Sequence, residues 1–62
     1  MCDINVFVRR EGREQMVMEN VDLVEDRGGR FHLTNIFGEE KEVAGRMVAF
    51  NNSQKRMVFE AL

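Results

Sequence analysis

Cys2, the only cysteine of the chain, directly follows Met1 and is the residue best equipped for chemistry. Alone it closes no intrachain disulfide, and in a core it would act as a small hydrophobe. Near a chain end its sulfur can instead meet the same residue of a second copy. The thiolate also has backbone nitrogens within a bond or two of its own residue. Removal of Met1, which the small side chain of Cys2 permits, would add a terminal amine and close a small chelate ring. Soft sulfur joined to nitrogen suits nickel, copper or zinc far better than magnesium or calcium. The competing reading is that Cys2 merely opens the first strand and packs.

Other chemistry is sparse. His32 is the single histidine, and its neighbours Phe31 and Leu33 imply by alternation that it points outward as a solvated strand residue. Glu39, Glu40 and Glu42 follow Phe37-Gly38 and read as a solvated acidic loop, with nothing to pair them as acid and base. Gly28-Gly29 joins two strand-like runs and opens no helix, so it is not a phosphate loop. These residues do not build a catalytic centre, and the chain reads as a non-enzyme.

The elements that must position Cys2 are strands. Ile4, Val6 and Val8 alternate with Asn5, Phe7 and Arg9, and Glu11-Gly12-Arg13 makes a turn. Met16, Val17 and Met18 form a segment that Glu19-Asn20 interrupts before Val21, Leu23 and Val24 resume it. Gly28-Gly29 is a tight-hairpin signal because glycine accepts positive φ at no steric cost. Phe31 and Leu33 face inward, and Val43, Met47 and Ala49 carry a long strand in which Gly45 marks a bulge or bend. Asn51-Asn52-Ser53 is the last turn, and Met57 to Leu62 the last strand. The pattern predicts one domain, residues 1–62, folded as an all-β, SH3- or Sm-like antiparallel barrel of five to six strands. The predicted core includes Phe31, Leu33, Val43, Met47 and Phe59.

Sixty-two residues bury only about 60 % of their unfolded surface, so such a domain needs a staple. Disulfides are excluded, which leaves a metal or a partner subunit. Met57, Phe59 and Ala61 lie on one face of the last strand, Val58 and Leu62 on the other. A strand with two apolar faces predicts a two-fold homodimer that covers the second. The net charge of −2 describes an ordinary surface, and no apolar run is long enough to span a membrane. One reduced cysteine and no export signal point to the cytoplasm. RNA binding is the rival reading, since Arg9, Arg10 and Arg13 cluster at one hairpin while Arg27 and Arg30 flank another. An acidic chain whose only candidate stacking aromatics are Phe7 and Phe37 disfavours nucleic acid.

The start Met1-Cys2-Asp3, the Arg13-Glu14 pair, the Met18-Glu19-Asn20-Val21 stretch and the Gly28-Gly29 hairpin occur together with a further segment. That segment, Leu33-Thr34-Asn35-Ile36-Phe37-Gly38-Glu39-Glu40-Lys41, is followed by Val43 and Gly45. End to end the chain resembles the small CooT-type nickel-binding proteins, named for an accessory protein of carbon monoxide dehydrogenase maturation. The resemblance implies a small-barrel homodimer holding one nickel ion between its two Cys2 residues. It also implies the label of predicted RNA-binding protein that such relatives often carry. The expectation is therefore a cytoplasmic nickel-binding homodimer, a metallochaperone or metal store. Cys2 is its metal ligand, nickel(II) or another thiophilic divalent ion its cargo, and a nickel enzyme its client. The alternative is an RNA-binding barrel without metal.

Overall fold

The computed structural model of the chain describes residues 3–62. It contains five strands: β1 (Ile4–Arg10), β2 (Arg13–Asp26), β3 (Arg30–Asn35), β4 (Glu40–Asn51) and β5 (Arg56–Ala61). Each successive pair is antiparallel, and β1 also pairs with β5, which closes the sheet into a ring. That closing pair is parallel, with Val6 beside Met57 and Val8 beside Phe59. The antiparallel expectation fails there for a geometric reason. In a meander of alternating directions the first and fifth strands run the same way, so an odd-membered ring closes in parallel. Among the described residues no helix is long and apolar enough to cross a membrane.

The turns follow from their residues. Glu11 (φ 54°) and Gly12 (φ 77°) form a two-residue loop between the paired Arg10 and Arg13, where two positive φ values match the twist of the strands. Gly28 and Gly29 do the same between β2 and β3, and Arg27 N donates to Arg30 O at 2.7 Å. Asn20, expected to break the second segment, lies inside a continuous β2 with φ 55°. Pairing registers shift on both sides of it, so the chain bends by bulging and no sixth strand forms. One long strand thus serves two neighbours, β1 with its first half and β3 with its second.

The core is Val6, Met18, Val21, Leu33, Val43 and Phe59, backed by Ile4, Val8, Val17, Val24, Phe31 and Met57. Phe31 packs on Phe59 with ring centroids 4.7 Å apart. Gly45 is buried where β4 leaves β3 for β5, and a β-carbon there would run into the Glu60 carbonyl. Met47 is not core. It is 49 % exposed, because beyond Gly45 β4 has no β3 beside it and Met47 stands at an open flank.

Val58 also departs from expectation, since a single chain already buries it to 5 % exposure. It lies between Phe7 of β1 and Ala49 of β4, on the outer face it shares with Arg56 and Glu60. The Arg56 guanidinium sits 4.2 Å from the Phe7 ring centroid, and Glu60 accepts from Arg9 Nε at 2.7 Å. These two contacts flank Val58 along the strand and shelter it. The second apolar face is therefore covered from within, and only Leu62 stays open to solvent.

Candidate functional site

Cys2, the predicted metal ligand, lies outside the described residues, so the site is built from what adjoins it. Asn5 N donates to Lys55 O at 2.9 Å, and Asn5 Oδ1 accepts from Asn20 N at 3.4 Å. These bonds tie the start of β1 to the β4–β5 turn and to the β2 bulge. Asp3 is exposed, 3.9 Å from the Lys55 ammonium. Ile4 then joins Val21, Leu23, Val24, Phe50 and Met57 around an almost wholly apolar crevice of about 290 Å³. Leu23 and Phe50 are about half exposed on its rim. A second copy or a partner has apolar surface to cover here, next to the chain start.

His32 is not the solvated residue that alternation suggested. Its side chain is 13 % exposed, with Nε2 2.8 Å from a Glu40 carboxylate oxygen and Nδ1 4.0 Å from one of Glu42. His32 stands directly across from Glu25 on one side and Glu42 on the other, so the two neighbouring strands flank the ring. Nδ1 is buried without a hydrogen-bond partner. The surrounding carboxylates are already engaged, Glu25 by Arg27 at 2.8 Å and Glu42 by Arg30 at 3.9 Å. Among the described residues no three His, Cys, Asp or Glu side chains are gathered to hold a metal ion.

The acidic loop has a structural role that the sequence reading missed. Asn35, 3 % exposed, accepts from Phe37 N and Glu39 N through Oδ1, at 3.0 and 2.9 Å, and donates from Nδ2 to Glu39 at 2.7 Å. An asparagine before a glycine-containing turn was the available signal, since its side chain can mimic a backbone turn. With Gly38 at φ 83°, this arrangement fixes the Asn35–Glu39 loop and displays Ile36 and Phe37.

The arginines expected to form a nucleic-acid footprint divide. Arg9, Arg27 and Arg30 are paired with Glu60, Glu25 and Glu42, whereas Arg10 and Arg13 have no ion-pair partner among the described residues. Phe7 is no free stacking platform, because Arg56 already covers its ring.

Fold and sequence together define a small closed all-β protein whose single cysteine precedes its first strand. The sequence matches the family model described as CO dehydrogenase accessory protein CooT over residues 1–60, and the chain belongs to that family. It is similar to a crystal structure assigned as CooT from Carboxydothermus hydrogenoformans, with TM-score 0.90 and 23 % identity over 98 % of each chain. At that identity the likeness speaks for the fold. No curated protein matches the sequence.

Proposed function

We propose that this protein is a nickel-binding homodimeric accessory protein, a metallochaperone or metal store, and not an enzyme. The observation that carries the reading is the family match, which includes Cys2 and names an accessory role to CO dehydrogenase, a nickel enzyme. The chemistry of the donors fits. A thiolate with adjacent backbone nitrogen, or with a terminal amine if Met1 is removed, suits nickel(II), and two copies meeting at their starts would supply two such sets. The structure supports the dimer by a different surface from the one expected. Val58 is already buried, while Ile4, Leu23, Phe50 and Met57 form the apolar crevice beside the chain start. Pairing through that crevice would cover the exposed rims and bring two Cys2 residues together. The ion would sit near the surface, where a nickel-enzyme client in the cytoplasm could collect it. The RNA-binding alternative has less support, with three arginines paired to glutamates and Phe7 occupied.

Nickel titration followed by the sulfur-to-nickel absorption band tests the reading. Wild-type protein should saturate at one ion per two chains, with uptake rising with pH as thiols lose protons. Cys2→Ser should lose the band and keep the fold. Unchanged nickel affinity in Cys2→Ser would overturn the proposal.

A further inference from the structure

The first half of β2 and the first half of β4 each have one sheet neighbour. Residues 13–18 of β2 pair only with β1, and residues 40–44 of β4 pair only with β3. Their free edges look across one cleft of about 560 Å³, lined by both strands. A ring of five strands would leave no bare edge if every strand paired along its whole length. Here the β2 bulge turns its two halves to different partners and opens this seam. Among the described residues a single side-chain bond spans it: Lys41 Nζ donates to the Val17 carbonyl at 3.0 Å.

Charge is concentrated at the mouth of the cleft. Arg10 and Arg13 stand directly opposite each other across the first hairpin, and both line the cleft together with Lys41. Like charges at directly opposed positions destabilise a hairpin, and neither arginine has an ion-pair partner among the described residues. Of the acids lining the cleft, Glu42 is engaged by Arg30, and Glu11 lies at the hairpin tip. Val8, Val17 and Val43 supply apolar surface behind these charges, beside the more polar Gln15. This is a free strand edge with an apolar wall and a cationic mouth.

We infer that the cleft between β2 and β4 binds an extended acidic peptide segment, added as a strand to the free edge of β2 near Arg10 and Arg13. Backbone hydrogen bonds to the edge supply affinity, side chains facing the valines fill the wall, and acidic side chains neutralise the two arginines. The site lies at the Arg10 end of β1, about 20 Å from Ile4 at roughly 3.3 Å per residue. It needs neither metal nor dimer, and gives an accessory protein a means to hold a partner chain while the other end holds cargo.

The probe is a fluorescein-labelled hexapeptide alternating valine and glutamate, followed by anisotropy with the full-length protein. Binding should be saturable, and Arg10→Glu with Arg13→Glu should weaken it about tenfold or more, with circular dichroism unchanged. The same peptide N-methylated at alternate residues, which cannot pair with the edge, should not bind, nor should its lysine analogue. Amide resonances of residues 13–18 should shift on binding and those of residues 56–61 should not. The inference is overturned if the peptide fails to bind. It is overturned equally if N-methylation leaves affinity unchanged, if single-stranded RNA displaces the peptide, or if the arginine variants change only the sedimentation of the protein.

Discussion

Asn35→Ala should be among the most damaging single changes outside the apolar core. Asn35 is 3 % exposed, and its side chain makes three hydrogen bonds, two accepted from Phe37 N and Glu39 N and one donated to the Glu39 carboxylate. Each such bond contributes about 1 kcal/mol net, and the bond to the carboxylate is kept at that figure because Glu39 is exposed to screening solvent. Truncation therefore costs about 3 kcal/mol. A domain this small has only about 3–5 kcal/mol from its core, so most of the stability goes. With a urea m-value near 1 kcal/mol/M for so short a chain, the midpoint should fall by about 3 M. Asn35→Asp keeps both accepted bonds but sets a second carboxylate against Glu39. It should cost less than alanine, and Glu39→Gln in that background should recover part of the loss. A midpoint shift below about 0.5 M for Asn35→Ala would refute the reasoning, because the loop would then hold its shape without its central side chain.

Phe59→Ala removes the largest fully enclosed side chain and should cost about 3–5 kcal/mol, leaving the protein largely unfolded by circular dichroism at 25 °C. Gly45→Ala drives a β-carbon into the Glu60 carbonyl and should cost about 1–3 kcal/mol in urea titration, with Gly45→Val worse. Leu23→Glu and Phe50→Glu lie on the exposed rim of the crevice and should convert dimer to monomer in sedimentation with the fold intact. Val58→Glu should instead unfold the chain, because that site is buried within one copy.

Much of the fold was legible in the residues. Period-two alternation located β1, β3 and β5, and the Glu11-Gly12 and Gly28-Gly29 turns fell where positive φ is required. The core positions Leu33, Val43 and Phe59 followed from the same alternation. What failed depended on contacts between distant segments. Asn20 resembles a turn residue locally, yet β1 and β3 on either side hold it inside one strand. Met47 has the parity of a core residue, but the strand that would cover it ends beside Ala44. Val58 looked bare because nothing in the sequence announces that Arg56 and Glu60 on its own strand reach Phe7 and Arg9 on another. His32 alternates outward as expected, and only the register with Glu25 and Glu42 reveals that its surroundings shelter it. The candidate site was legible as chemistry in Cys2 alone. The apolar crevice around Ile4 draws on β1, β2, β4 and β5, which no local pattern brings together.

Native mass spectrometry of the nickel-loaded protein, counting ions per assembly, tests the central claim most directly. The account predicts a dimer carrying one nickel ion, and predicts that mixed dimers of wild-type and Cys2→Ser chains hold the ion far more weakly, because two thiolates share it. A monomer that carries its own nickel ion, or a Cys2→Ser dimer loaded as fully as wild type, would contradict it.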